Sequence, residues 1–448
     1  MIILWTDALI FLLIAVMLIL GFYLRGKEYI KRPLQQIARS KVGMVSLTVL
    51  VVFVLVGLLD SIHFKPSGGR GNEIISALDY WATPLREHDE KTYSAPFAAY
   101  LYSKEMMTLP DGTEQWGYPR LQFGGAHLAN PETELAQDVL KKAFYGWIQG
   151  ASLVIFFLVL LGSLLRREPH KRLIVSPTAK AVWAVVFLIV SVNYMLVYLS
   201  AYYHVFGTDK VGEDVFYQSI KSIRTGLVIG TLTTLVMLPM ALVFGILAGF
   251  FRGWVDDVIQ YVYTTLNSIP SVLLIAASIL MVQVYMAAHE EAFTSVIVRA
   301  DMRLLFLCLI LGVTSWTGLC RLLRAETLKL REMEYVQAAQ ALGVRRRVIL
   351  VRHILPNVMH IVLISVVLDF SSLVLAEAVL SYINIGVDPT TYSWGNMING
   401  ARLEMAREPV VWWSLTASFV FMFALVLAAN LFADTVRDAF DPRRGAYE

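Results

Sequence analysis

Cysteine is nearly absent from this chain of 448 residues. The two it has, Cys308 and Cys320, share one apolar stretch, which excludes a disulfide framework and a thiolate metal site and leaves them as small packing residues. Charge is also scarce, at 16% Asp, Glu, Lys and Arg, and the net charge of +3 is too small to point to nucleic acid. No G-x-x-x-x-G-K-[ST] occurs, nor any other nucleotide-binding signature. The glycines at 68, 69 and 71 lack the Lys-Ser/Thr of a phosphate loop and read as a turn. H-E-x-x-H, G-x-S-x-G and clustered His or Cys are missing too. His353 and His360 are separated by Pro356 and read as non-ligands. The chain is therefore expected to hold no metal or cofactor and not to be an enzyme.

Hydrophobic residues make up 57% of the chain, and the mean hydropathy is +0.61. Apolar runs of about 20 residues, the length that spans a bilayer as helix, recur throughout. The expected fold is an all-α integral membrane protein, a polytopic bundle of about nine spans near 3–24, 44–60, 146–165, 181–202, 225–251, 257–285, 302–320, 357–380 and 411–432. Lys27, Lys31, Arg32, Arg39 and Lys41 follow the first span, and Arg166, Arg167, Lys171 and Arg172 follow the third. The positive-inside rule then predicts an N-out, C-in orientation. Residues 61–143 are polar and form an extracytoplasmic insertion to which the sequence assigns no site.

Within the spans, Asn267 and Pro270 mark an Asn-x-x-Pro break that frees backbone carbonyls, a feature tolerated where protein or a cavity satisfies them. Asp369 and Glu377 are carboxylates inside a span and are functional suspects on energetic grounds. These four are the candidate pathway or gate residues. Gly245, Gly249 and Gly253 recur at four-residue spacing, which favours close helix packing.

The loop from Glu334 to Asn357 reads EYVQAAQALGVRRRVILVRHILPN. Ala338, Ala339 and Ala341 make one helix side small. Gly343 permits the positive-φ turn that ends a helix. A second helix, over about Val344 to Leu355, would set Val348, Leu350 and Val351 against apolar surface, and Pro356 suits the first turn of the next span. With Arg352 and His353 and the arginines at 345–347, the loop looks like a docking surface.

This pattern resembles the coupling loop of ABC-importer permeases, in which two short helices fit a groove on the ATP-hydrolysing subunit. Glu334, Tyr335, Gln337, Ala338, Ala339, Ala341, Leu342, Gly343, Arg352, His353 and Pro356 carry the resemblance, with Gln337 where the family places Glu or another polar residue. The stretch FGTDKVGEDVFYQSIKSIRTGLVIG is similar to LGTDxxGxDxxSRxxxGxRxSLxIG of the dipeptide/oligopeptide/nickel permease family; Gly207, Thr208, Asp209, Gly212, Asp214, Arg224 and Gly230 match. Glu377 falls in LAEAVLSYINIG, similar to the family's EAxLSFLGLG, where it would hold a helix bend near the outer gate. Residues 386–410 match its WGxM-containing outer loop.

The resemblance covers 204–444 densely and 33–60 loosely. It implies three parts: 1–43, an extra helix and cytoplasmic linker; 44–203, three spans with the insertion; and 204–448, a permease core with coupling loop 325–356. It further implies the bacterial inner membrane, alternating access, and peptides as cargo, with nickel or another small solute as the alternative. The implied partners are a second permease, two ABC ATPase subunits that hydrolyse the ATP, an extracytoplasmic substrate-binding protein and membrane lipid. Gly343→Asp is expected to abolish transport without affecting insertion. An ion-coupled secondary carrier is the rival class, but it would show inverted repeats and several intramembrane charges.

Overall fold

The structure is a computed structural model that describes residues 4–24, 28–65, 74–108, 113–164, 176–292 and 295–440. The expected turn at Gly68, Gly69 and Gly71 and the basic run from Arg166 to Arg172 lie outside them.

The molecule is a polytopic all-α membrane protein. By length and composition, seven helices among the described residues can cross a membrane: Lys41–Asp60, Pro131–Ser163, Pro177–Ser200, Val215–Phe251, Ser271–Ala288, Arg346–Tyr382 and Trp413–Phe440. The first expected span falls in Trp5–Leu24, whose described apolar part, Trp5–Ile19, is shorter. The seventh falls in Val296–Arg331, where Leu304, Leu307, Cys308, Leu311, Cys320 and Leu323 are fully enclosed by protein.

Four expectations need correction. The third span is not confined to 146–165, because its helix begins at Pro131 and has a polar first part that extends the apolar run. The sixth is not one helix over 257–285. It is Trp254–Ser268 followed by Ser271–Ala288, because Pro270 has no N–H to continue the ladder and Ile269 turns extended at ψ 130°. The outer loop 386–410 contains a helix, Trp394–Glu404, capped by the Ser393 side chain, which accepts from Asn396 N–H at 3.0 Å. Finally, Pro356 does not separate His353 from His360. Arg346–Ile349, a π turn over Leu350–Ile354 and Leu355–Tyr382 run on as one helix, the wide turn accommodating the proline ring.

The chain forms two compact units, one of residues 38–225 and 392–425, the other of 3–37, 226–391 and 426–440. In this division 204–225 groups with the insertion. In the first unit, Pro131–Leu164 packs on Pro177–Ser200, where a Cβ on Gly150 would lie 2.8 Å from Ser191 Cα. The insertion holds two small hairpins, His63–Phe64 with Ile75–Ser76 and Glu105–Thr108 with Glu114–Gly117, and two single-turn helices, Ala77–Trp81 and Thr83–Glu87.

In the second unit, Val296–Arg331 is the central helix. The extra N-terminal helix docks on it, with Thr6 N–H donating to Asp301 Oδ2 at 3.3 Å and the Thr6 hydroxyl to Oδ1. Gly245 and Gly249 let helix Val215–Phe251 approach the same helix, where their Cβ atoms would come within 2.8 Å of Cys320 O and 2.6 Å of Thr327 Cβ. Gly253 has a different role. At φ 60° it turns the chain, and no atom lies within 4 Å of its Cβ position.

Candidate functional site

The loop at 325–356 is built on a buried strip. Val336 and Ala339, one turn apart on helix Glu334–Ala341, face inward with Ile349, Ile354 and Val358, in one apolar cluster with Trp316, Leu323, Leu330 and Phe250. The helix ends as the sequence predicts. Gly343 has φ 73°, its N–H donates to Gln340 O at 3.0 Å, and Val344 N–H donates to Ala339 O at 3.1 Å, the paired bonds of a Schellman cap. A Cβ at Gly343 would meet nothing within 4 Å, so the glycine is required by backbone conformation and not by space.

The inward face differs from the expected one. Val348 and Val351 are exposed, at 41% and 65%, and Ile349 and Ile354 take the buried positions instead; only Leu350 packs against the cluster as predicted. Ala338 and Ala341 are exposed with Tyr335, and Leu342 is 83% exposed. Arg345, Arg346, Arg347 and Arg352 surround them in solvent, and His353 is half-buried with its ring 6.1 Å from that of Tyr335. The loop therefore presents an apolar ridge with a basic rim.

Polar contacts brace this ridge from behind. Arg252 pairs with Glu332 at 2.6 Å, Arg324 grips Asp256 through two bonds of 2.6 and 2.7 Å, and Arg331 donates to Phe250 O at 2.9 Å. Asn357 donates to Tyr335 Oη at 3.2 Å and to His353 O at 2.7 Å. The Gln337 amide turns back to Glu332 O at 3.2 Å. Glu334 is exposed in the first turn, and Pro356 is exposed where the loop joins the next helix.

No hydrogen bond or ion pair among the described residues gathers the pathway candidates into one site. Asn267 accepts from Thr317 Oγ1 at 3.0 Å and is exposed, as is Pro270, which opens the helix of 271–288. Asp369 is half-buried. Glu377 is 2% exposed and accepts the Ser381 hydroxyl at 2.6 Å in the last turn of its helix, just before the chain reverses at Asn384 with φ 63°.

In the Gly-Thr-Asp motif Gly207, Thr208, Gly212 and Asp214 are buried, while Lys210 and Val211 at the tip of the turn are exposed. Gly207 and Gly212 have φ 70° and 87°, and their Cβ atoms would lie 2.4 Å from Ser94 O and 1.7 Å from Glu90 O. Thr208 Oγ1 accepts from Ser94 N–H at 2.7 Å, and Asp209 Oδ1 accepts from Val211 and Glu213 N–H at 3.0 Å each. Asp214 caps the helix of 215–251, accepting from Phe216 and Tyr217 N–H at 2.8 and 3.1 Å, while its other oxygen meets His204 Nδ1 at 2.8 Å. Arg224 follows three turns into that helix.

The sequence did not single out His204, Glu90, Asp60 or Asp79, and it marked Lys221 only as a departure from the family pattern at a packing position. Glu90 is buried and accepts from the N–H groups of Gln122, Phe123 and Gly124 at 2.9, 2.8 and 3.2 Å, with His204 Nε2 at 3.5 Å. Burial alone would depress the His204 pKa, but hydrogen bonds and charge from Asp214 and Glu90 prevail and push it up to about 9. Burial likewise raises Glu90, and the His204 contact and three N–H donors outweigh it to give a net lowering. Lys221 reaches Asp60 at 2.6 Å and Asp79 at 2.8 Å. Burial raises Asp79, but the Lys221 charge and hydrogen bond, Ser76 N–H and the Tyr217 hydroxyl bring it down to about 2. Isolated acids in a segment without periodicity give no signal in one sequence. The only available hint was a lone Lys one turn before Arg224.

Residues 241–445 match the family described as the binding-protein-dependent transport system inner membrane component. The chain is 31% identical to the dipeptide transport system permease protein of Lactococcus lactis over 54% of its own length and 64% of the relative's. It is 30% identical to the oligopeptide transport system permease protein of Mycobacterium tuberculosis over 53% of its length and 76% of the relative's. The chain belongs to this family. It is an ABC-importer permease of the bacterial inner membrane, and the extra N-terminal region makes it an enlarged one. Members of this permease family are transport components that work with ATPase and substrate-binding partners.

Proposed function

We propose that this permease forms the translocation pathway of a peptide importer and is driven through the ridge at 335–351 by ATPase subunits that dock there. The single observation that carries the coupling role is the ridge itself: Tyr335, Leu342, Val348 and Val351 project outward from helices whose inner faces are fixed by Val336, Ala339, Ile349 and Ile354. An exposed apolar patch with a polar rim is the usual mark of a protein contact, and a braced base lets movement of that contact reach the helices of 296–331 and 346–382. The names of the relatives favour peptides as cargo.

The assembly we infer pairs this chain with a second permease, two ATPase subunits and an extracytoplasmic binding protein. ATP is hydrolysed on the ATPases, this chain holds no cofactor of its own, and the N-terminus lies outside and the C-terminus inside. Asn267, Pro270 and Asp369 are its pathway positions, and Glu377 fixes the outer end of its helix.

Leu342→Asp tests the docking role. Leu342 is 83% exposed, so the fold does not need it. Loss of an apolar anchor at a partner contact costs about 2 kcal/mol or more, roughly 30-fold in affinity. Peptide uptake and ATPase co-purification should fall together while membrane insertion stays at the wild-type level. Unchanged uptake and co-purification would refute the docking face.

A further inference from the structure

At the far end of helix Val296–Arg331 from the coupling loop, about 50 Å away at 1.5 Å per residue, lies a cavity of about 560 Å³. Its walls are Gln283, Met286 and Ala287 near the end of helix Ser271–Ala288, Glu290 in the following turn, Arg299 and Arg303 at the start of helix Val296–Arg331, and Asp388. The volume is in the range of small-ligand sites, about 300 to 1,000 Å³. The charge rule places this end on the extracytoplasmic side.

The two arginines are four residues apart, so their side chains share one helix face. The Arg299 side chain meets no hydrogen-bond or ion-pair partner among the described residues. The Arg303 side chain is only 14% exposed, yet its Nε is buried without a hydrogen-bond partner, and Nη1 stops 3.6 Å from Asp388 Oδ2. Asp388 Oδ1 is occupied by the Thr390 N–H and hydroxyl at 3.0 and 2.7 Å. A buried guanidinium with an open donor is unfavourable until an acceptor arrives, and a planar carboxylate is the acceptor that suits two guanidinium forks.

Glu290 and Asp388 balance the two positive charges. A neutral set with separated signs disfavours phosphate or another polyanion and suits a zwitterion. We infer that this cavity seats the C-terminal carboxylate of a short peptide on Arg299 and Arg303, with Glu290 facing the peptide's terminal ammonium. Asp388 orients Arg303. This assignment rests on the peptide reading above and adds to it a receiving site on the permease chain itself.

The test is binding of trialanine, its C-terminal amide and its N-acetyl form to the full chain in lipid nanodiscs. Wild type should bind the amide roughly tenfold more weakly than trialanine, the effect of losing one charge-assisted contact. Arg299→Gln should erase that difference, and Arg299→Lys should restore part of it. Glu290→Gln should weaken trialanine but leave N-acetyl-trialanine unchanged. Equal binding of trialanine and its amide, no binding of either, or discrimination that survives Arg299→Gln would overturn the site. So would an Arg299→Gln effect confined to capture of the binding protein. Uptake of trialanine by the assembled wild-type importer is measured alongside. Uptake without discrimination by the isolated chain removes this site and leaves peptide import standing, whereas absence of uptake removes the peptide reading itself.

Discussion

The Gly-Thr-Asp turn and the coupling loop both depend on glycines with positive φ, but for different reasons. Around Gly207 and Gly212 the space is filled, and a methyl group at either would overlap backbone oxygens of Ser94 or Glu90. Around Gly343 the space is empty. The first turn is enclosed by residues of the insertion, while the second is anchored only on its inner side and leaves its outer side open. A motif enclosed by its own chain is a structural fixture, and one left open on a braced base is suited to a partner.

The largest effect should come from Gly212→Ala, which adds a clash at 1.7 Å to an unfavourable φ of 87°. A loss of about 3 kcal/mol or more is expected, read as a lower Tm in detergent and faster proteolysis within 61–143; wild-type behaviour would mean the turn is not clamped. Lys221→Met comes next. It leaves Asp60 and Asp79 buried beside one another without their cation, a loss of about 3 kcal/mol, and pairing it with Asp60→Asn and Asp79→Asn should recover much of the Tm. Failure of that recovery would show that the lysine acts by packing alone.

His204 gives a smaller, pH-dependent signature. Its folded pKa of about 9 lies above the ordinary value of 6.5, so its contribution is complete below about pH 6.5 and is lost as pH rises through about 9. The wild-type Tm should therefore fall between pH 7 and 10 by more than that of His204→Asn, and parallel curves would contradict the bridge to Glu90 and Asp214. The smallest effect is expected at Gly343→Ala, where only backbone strain of about 1 kcal/mol is added. Uptake should stay within a few-fold of wild type and well above that of Leu342→Asp. Gly343→Asp would then act mainly through its charge on the exposed ridge, and a severe defect in the alanine variant would show that the turn has no room to adapt.

Much of the bundle was legible because spanning a bilayer constrains composition directly. Apolar length marked the spans, and the Ala-Ala-x-x-x-Gly and Gly-Thr-Asp patterns placed both motifs. The face of the second coupling helix was misjudged because Val348 and Val351 are as apolar as Ile349 and Ile354, and hydropathy cannot choose between adjacent helix faces that both contain aliphatic residues. The path through Pro356 was missed because a π turn leaves no compositional trace.

The sequence by itself determined the membrane class, the approximate spans, the positive-φ turn at Gly343 and the family to which the chain belongs, because these depend on local composition and short spacings. Only the tertiary structure decided that Glu90, Ser94, Asp60 and Asp79 close around residues 204–221, that Leu342 and Val351 face outward, and that Arg299 and Arg303 share a cavity with Glu290 and Asp388. Those pairings join residues up to more than 150 positions apart, and the burial that gives them their strength arises only when the chain has folded.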